Sequence, residues 1–305
     1  MIIPLYDTTA NQVADRLVEI RRDGGAVALS RVLTLVVPVG AAAAEEAIAA
    51  ANEASMEHPC RVIVLVERDP AGEPTLDAEI RVGGDAGASE VVVLRLRGPL
   101  IDQQASLVTP LLLPDVPIVT WWPDDLPDSP ATAPLGALAI HRVTDSVRAR
   151  GSVLERLARL RKSYTPGDTD LAWTRLTWWR AHLAATLDRP PYDPVVSATV
   201  CGSQDHPSTD LLTAWLGWKL RCPVQVIRQT AVSAITRVEL NRPSGTVVID
   251  RPEGSDVATL SVPGSADQWF HLSLRTLAEC LSEELRRLDE DTVYGAVITS
   301  PNLLP

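Results

Sequence analysis

The 305-residue sequence lacks the motifs by which most enzyme sites are recognised. It contains no GxGxxG, no GxxxxGKS or GxxxxGKT, no HExxH and no GxSxG, so the usual nucleotide sites, zincin sites and α/β-hydrolase nucleophiles have no support. The five histidines are isolated from one another, and no second ligand pair accompanies His58 and Cys60. We therefore expect no catalytic residue, no metal site and no cofactor.

Cysteine, lysine and long apolar runs are also scarce. The only two lysines are Lys162 and Lys219, so there are few candidates for a Schiff base or a phosphate-binding lysine. No run of about 18 apolar residues occurs, and the start MIIPLYDTTANQVADRL lacks the basic region and apolar segment of a secretory signal. We expect a cytoplasmic protein with no membrane partner. Four cysteines without close spacing favour reduced thiols over a disulfide framework: Cys60, Cys201, Cys222 and Cys280.

Positive charge is in deficit as well. The net charge is -11, and the acidic residues are spread along the chain, which mainly implies solubility. Because neutralising phosphates requires a concentrated basic surface, we expect no nucleic-acid partner. The apolar content of 46% and charged content of 22% are those of a globular protein, and the length allows one large or two ordinary domains.

The first half of the chain alternates buried strands with helices. VLTLVVPV (32–39), an alanine-rich helix (41–55) and RVIVLVE (61–67) follow one another, and near-continuous β-branched runs are typical of parallel strands buried on both faces. Further strands are predicted at 78–82, 90–98, 117–122 and 137–143, with a helix from Asp102 to about Pro110–Leu113. We expect a Rossmann-like, mostly parallel α/β domain over residues 1–165.

The second half has a different pattern. DTDLAWTRLTWWRAHLAATLD predicts one long connecting helix within 166–190, capped by Asp168 or Thr169. Three prolines between 190 and 194 then mark a domain boundary. Beyond them, a strand at 195–202, a helix from Pro207 to about Leu220, four short strands and a last long helix predict a smaller α+β domain over 191–305, with a largely antiparallel sheet backed by helices.

Two loops are candidates for binding an anion. In CGSQDHPSTD (201–210), a strand leads into a helix whose first amides face a Gly/Ser loop, although an ordinary connection with His206 or Asp205 as the N-cap and Cys201 in the sheet is the favoured reading. In HRVTDSVRARGS (141–152), the guanidinium groups of Arg142, Arg148 and Arg150 could hold a phosphorylated sugar or a partner's carboxylate at the end of a strand. The alternative is that these arginines pair with Asp145 and other acids and stabilise a turn.

Tryptophan is concentrated in two places, WTRLTWW (173–179) and PLLLPDVPIVTWWPDDLP (110–127). Burial of the tryptophan side chains explains the cluster at 173–179, and no ligand is needed to account for it. In the second, strand alternation places Trp121 and Trp122 on opposite faces of the sheet, so that only one is expected to face the core with Val119. The other, beside Pro123-Asp124-Asp125, is the better candidate for recognition.

The chain resembles the OpcA family of glucose-6-phosphate dehydrogenase assembly proteins. The resemblance is carried by SLVTPLLLPDVPIVTWWP (106–123), HRVTDS (141–146) and DTDLAWTRLTWWR (168–180), and it spans essentially the whole chain. It implies a protein that is not an enzyme and that promotes the active oligomer of glucose-6-phosphate dehydrogenase or acts as its allosteric effector. Through that partner, it would support the oxidative pentose phosphate pathway and NADPH production.

We predict that the dehydrogenase binds at the strand ends that these motifs mark. The redox control linked to thioredoxin in some photosynthetic relatives is not carried over, because no two of the cysteines match such a pair. The alternative function is a sugar-phosphate binder or enzyme that uses the same strand-end arginines and tryptophans. The expected partner-binding residues are Trp121, Trp122, Asp124, Asp125, Arg142, Asp145, Ser146 and Arg148.

Overall fold

The chain divides into two compact units in a computed structural model that describes residues 1–23, 32–82, 90–188, 190–301 and 303. The first unit comprises Met1–Ala149, Gly167–Thr169 and Leu277–Glu290, and the second comprises Arg150–Pro166, Asp170–Thr276 and Asp291–Pro305. Leu277–Glu290 thus fold with the first unit although they come late in the chain. The hydroxyl of Ser282 and the guanidinium of Arg286 both donate to the carboxylate of Glu57, at 2.8 and 2.9 Å.

The first unit is built around an eight-stranded sheet in the order β1-β4-β5-β3-β2-β6-β7-β8. The neighbours from β5 to β7 pair in parallel, whereas β4 pairs antiparallel with β1 and β5. The predicted Rossmann-like, mostly parallel architecture is therefore confirmed. Its elements are β1 (Ile2–Leu5), α1 (Ala10–Asp23), β2 (Leu33–Gly40), α2 (Ala44–Glu57), β3 (Cys60–Glu67), β4 (Leu76–Val82), β5 (Glu90–Leu96), α3 (Gln104–Val108), β6 (Ile118–Trp122), β7 (His141–Thr144), β8 (Asp168–Asp170) and α8 (Leu277–Arg286).

Burial on both faces explains why these strands read as continuous apolar runs. In β2, β3 and β5 nearly every residue is buried, which is what a sheet covered on both sides requires. One face carries a core cluster to which α1, the strands and the segment around Leu111 all contribute. The chain order reverses at β2, because β3 and β5 lie on one side of it and β6 and β7 on the other. Such a reversal is where open α/β sheets bind ligands.

The second unit contains a six-stranded sheet in the order β10-β9-β11-β12-β13-β14, in which only the β9–β10 pair is parallel. The helix predicted from Pro207 packs against β9 and β10, so the expected antiparallel sheet with helical backing is confirmed. The elements are α4 (Val153–Ser163), α5 (Leu171–Thr174), α6 (Thr177–Leu187), β9 (Ser197–Ser203), α7 (Pro207–Leu220), β10 (Val224–Gln229), β11 (Ile235–Arg242), β12 (Gly245–Asp250), β13 (Val257–Ser261), β14 (Gln268–His271) and α9 (Thr292–Ile298).

The structure corrects the secondary-structure prediction in several places. The long helix predicted from Asp168 is not continuous, because Asp168 and Thr169 belong to β8 and the helical part is split into α5 and α6. The cap of α5 is Asp170, whose carboxylate accepts from the N–H of Ala172 at 2.9 Å. The strand predicted at 137–143 begins only at His141, after a short 3-10 turn. Neither β14 nor α9 was expected.

Candidate partner-binding site

The two adjacent tryptophans face opposite sides of the sheet, as the alternation predicts, but both are buried. Trp121 lies in register with Val143 of β7 and is 0% exposed, whereas Trp122 belongs to the core cluster of the other face and is 9% exposed. The rim of the Trp122 ring is so close to Gly136 that a Cβ there would lie 3.1 Å from it. The expectation that Trp122 is available for recognition is therefore corrected: it is core.

Arg142, Asp145 and Ser146 are also buried. Arg142 Nε donates to Asp168 Oδ1 at 2.5 Å, and its Nη1 donates to the carbonyl of Ala139 at 3.0 Å. Asp145 Oδ1 accepts from the N–H of Val147 at 3.2 Å. These contacts correspond to the alternative in which the arginine pairs with an acid and the loop forms a turn. Side chains this deeply buried have little surface for direct contact with a partner.

Three of the expected residues remain accessible: Asp125 and Arg148 are exposed, and Asp124 is half-buried. Asp124 Oδ2 accepts from the N–H of Gly40 at 3.1 Å, which joins the end of β2 to the residues that follow β6. This is the position at which the strand order reverses. The carboxylate of Asp124 therefore binds the N–H of Gly40 at the position where open α/β sheets commonly bind a ligand.

Four carboxyl groups lie at this edge of the sheet, and we call them the acidic edge: Glu67, Asp102, Asp124 and Asp125. Burial raises the pKa of Glu67; a hydrogen bond from Gln104 opposes the rise, and the charges of the other three carboxylates add to it. Burial likewise raises the pKa of Asp124. The hydrogen bond from Gly40 opposes this rise, and the negative charge of Asp125 adds to it. The edge thus presents crowded negative charge.

Arg148 lies close enough for its charge to act on Asp124, and it is paired with Glu46 of α2. Its two terminal nitrogens donate to the two carboxylate oxygens of Glu46, Nη1 to Oε1 at 2.6 Å. The hydrogen bond from Arg148 lowers the pKa of Glu46. Neither Glu46 nor Gly40 was predicted from the sequence, since they are about a hundred and about eighty residues from their partners Arg148 and Asp124. Only the sheet order brings them together, so no local motif marks them.

The motif DTDLAWTRLTWWR is largely structural, and from Asp170 onward it lies in the second unit. Trp173 is 1% exposed, and its Nε1 donates to Asp291 Oδ2 at 2.8 Å. The guanidinium of Arg180 lies 3.7 Å from the centre of its ring, and Tyr294 packs beside it. The motif therefore holds α5, α6 and α9 together. Trp178, by contrast, is 52% exposed.

Within the described ranges, no group of three or more His, Cys, Asp or Glu side chains is arranged to hold a metal ion. No helix in the part of the chain that the structure describes is long and apolar enough to cross a membrane.

Comparison with known families identifies both halves of the chain. Residues 51–162 match a family model described as the glucose-6-phosphate dehydrogenase subunit N-terminal domain, and residues 166–298 match the corresponding C-terminal domain. The fold and these matches define a mixed α/β protein related to a subunit of that dehydrogenase. More specifically, the chain belongs to the OpcA family of glucose-6-phosphate dehydrogenase assembly proteins, which confirms the resemblance. A search of curated proteins gave no match.

Proposed function

We propose that the protein is a non-enzymatic assembly factor and allosteric activator of glucose-6-phosphate dehydrogenase. The observation that carries the proposal is the pair of family matches, which name a subunit of that enzyme and together extend from residue 51 to residue 298. Through this partner the protein supports the oxidative pentose phosphate pathway and NADPH production in the cytoplasm. The lack of recognised catalytic motifs in the sequence agrees with this role, since an effector requires a surface and not a nucleophile.

The activation requires only a modest difference in affinity. A protein that binds the active oligomer of an enzyme more tightly than the inactive form shifts the population toward the active oligomer. A tenfold to hundredfold change in activity corresponds to a coupling free energy of about 1.4 to 2.7 kcal/mol. A few well-placed contacts at a protein interface supply this amount.

We propose that the contact surface is the accessible part of the expected site, namely Asp125, Arg148 and the neighbouring Asp124. The acidic edge around Asp124 favours a partner surface that carries arginine or lysine. The buried members Trp121, Trp122, Arg142, Asp145 and Ser146 contribute by stabilising the strand ends from which the accessible residues project. The alternative, a sugar phosphate held by the strand-end arginines, has no specific support, because Arg142 is buried against Asp168 and Arg148 is paired with Glu46.

The proposal is tested by mixing the purified protein with the glucose-6-phosphate dehydrogenase from the same source. We expect the two to co-elute in size-exclusion chromatography, the dehydrogenase to shift toward a larger oligomer, and its rate to rise. Bovine serum albumin at the same concentration serves as the control for nonspecific stabilisation. An unchanged oligomer distribution together with an unchanged rate would contradict the proposed function.

A further inference from the structure

A pocket of about 140 Å³ opens in the second unit beside α6, the start of α7 and the segment after β14. Two guanidinium groups, those of Arg175 and Arg275, line it together with the imidazole of His206. The indoles of Trp178 and Trp179 form an aromatic wall, and none of the described residues that line the pocket is acidic. The pocket therefore combines several hydrogen-bond donors with two cationic side chains.

His206 presents a donor to this pocket. It caps α7, and its Nδ1 accepts from the N–H of Ser208 at 3.3 Å. Because Nδ1 accepts, the proton of the neutral ring is assigned to Nε2. Burial, with the charges of Arg175 and Arg156 beside the ring, lowers the pKa of His206 to about 3, so the ring is neutral at physiological pH. Among the described residues, the Nε2–H has no acceptor.

One of the two arginines is held by a backbone carbonyl, and the other lies beside His206. Arg275 Nη1 donates to the carbonyl of Thr174 at 2.8 Å, which positions its guanidinium at the end of α5. Arg175 lies close enough to His206 for its charge to act on the ring. A guanidinium carries five N–H donors in a planar fork, a geometry that suits both carboxylate and phosphate oxygens.

Trp178 has no evident role in the core. It is 52% exposed, whereas its neighbour Trp179 is 6% exposed and packs inward. Ligand sites commonly combine a flat aromatic or apolar wall with a few polar groups that set orientation. Pockets for drug-sized ligands span about 300 to 1,000 Å³, so a pocket of 140 Å³ suits a compact ligand.

We propose that this pocket binds a compact metabolite bearing a phosphate or carboxylate group, with the anionic group beside Arg175, Arg275 and the Nε2–H of His206 and the remainder against Trp178. The site is distinct from the acidic edge, which lies in the first unit. It also does not rest on the proposed function, because it belongs to the isolated chain. A bound metabolite of this kind would allow the protein to respond to metabolite concentration.

The test is isothermal titration calorimetry of the full chain, without the dehydrogenase, against inorganic phosphate, glucose 6-phosphate and gluconate. The first two probes carry a phosphate group, alone and on a sugar, and gluconate carries a carboxylate on a similar carbon chain. We expect saturable binding of at least one probe, and Arg175→Gln and Arg275→Gln each to weaken it about tenfold, as loss of a charge-assisted hydrogen bond does. Arg237→Gln, on β11 and outside the pocket, is the matched control and should bind normally.

Two further variants separate binding from folding. His206→Asn retains a residue able to cap α7 but removes the Nε2–H, so we expect normal circular dichroism and binding weakened several-fold. Trp178→Phe should reduce the change in intrinsic fluorescence on ligand addition, whereas Trp218→Phe, at another exposed tryptophan of the same unit, should leave it intact. The proposal is overturned if no probe binds saturably, or if binding survives in folded His206→Asn and both arginine variants.

Discussion

Arg142 on β7 and Asp168 on β8 form a buried ion pair in which Arg142 Nε donates to Asp168 Oδ1 at 2.5 Å. Gly167, which precedes Asp168 in the chain, has φ +91°, and a Cβ there would lie 2.7 Å from the carbonyl oxygen of Ile140. The carbonyl of Gly167 accepts a hydrogen bond from the N–H of Arg142 at 2.9 Å, and this contact continues the sheet. Asp168, which the local sequence pattern assigns to a helix, therefore lies in a strand at the edge of the sheet.

The first prediction concerns this pair. Asp168→Ala removes the carboxylate that neutralises the buried guanidinium of Arg142, so we expect the free energy of unfolding to fall by roughly 3 to 5 kcal/mol. Glu46→Ala removes the partner of the exposed Arg148 and should cost only about 0 to 1 kcal/mol. Urea titration followed by circular dichroism measures both. Equal losses in the two variants would contradict the difference in burial from which the prediction is made.

The second prediction concerns Trp122. Because its ring is part of the core cluster, Trp122→Ala should lower the free energy of unfolding by about 3 to 5 kcal/mol, the usual cost of a large cavity. Trp269→Ala, at a site that is 72% exposed, is the control and should cost far less. Thermal and urea unfolding check the comparison. If Trp122→Ala is as stable as the Trp269 variant, the assignment of Trp122 to the core is wrong.

Local signals in the sequence predicted the elements whose ends are set by nearby residues. The helix from Pro207 to Leu220 begins and ends where the sequence predicts. Its start is set locally, since Pro207 occupies the first helical position and His206, directly before it, is the N-cap. The opposite faces of Trp121 and Trp122 follow from strand geometry alone. The apolar strands of the parallel sheet were likewise predicted from their local sequence, because each is a nearly continuous run of apolar residues.

Non-local contacts account for what the sequence did not predict. Asp168 and Thr169 read as a helix start, yet the pair with Arg142, 26 residues earlier, draws them into β8. Leu277–Arg286 folds with the first unit, where Glu284 lies 3.1 Å from the ring of His141, 143 residues away. The strand Gln268–His271 is a short edge strand whose side chains are mostly exposed, so it has no buried alternation to reveal it.

The third prediction uses the two opposite pKa shifts in the first unit. Burial raises the pKa of Glu67 above its value in the unfolded chain, so its charged form opposes folding at neutral pH. For Glu79, burial alone would raise the pKa, but hydrogen bonds from Arg81 and Arg95 outweigh it and lower the pKa. The charged form of Glu79 therefore favours folding.

We accordingly expect Glu67→Gln to increase the free energy of unfolding at neutral pH and Glu79→Gln to decrease it. Both effects should fade as the pH falls below the ordinary carboxyl range, because the wild-type side chains are then protonated in the folded and unfolded states alike. Urea unfolding at a series of pH values provides the measurement. Shifts of the same sign in the two variants, or differences that persist unchanged in acid, would contradict the assignment.

The fourth prediction concerns the proposed partner surface. Asp125 and Arg148 are the most exposed of the expected contact residues, and reversing either charge changes no core contact. We expect Asp125→Lys to remain folded but to weaken activation of the dehydrogenase about tenfold, because its positive charge would then face the basic residues of the partner across the interface. Arg148→Glu adds negative charge to the same edge and should not weaken activation. Asp267→Lys makes the same charge reversal on an exposed loop of the second unit and serves as the control. The readouts are dehydrogenase rate and co-elution over a range of salt concentrations, since added salt screens an electrostatic contact. Full activation by folded Asp125→Lys would exclude this surface while leaving the proposed function open to a contact elsewhere on the chain.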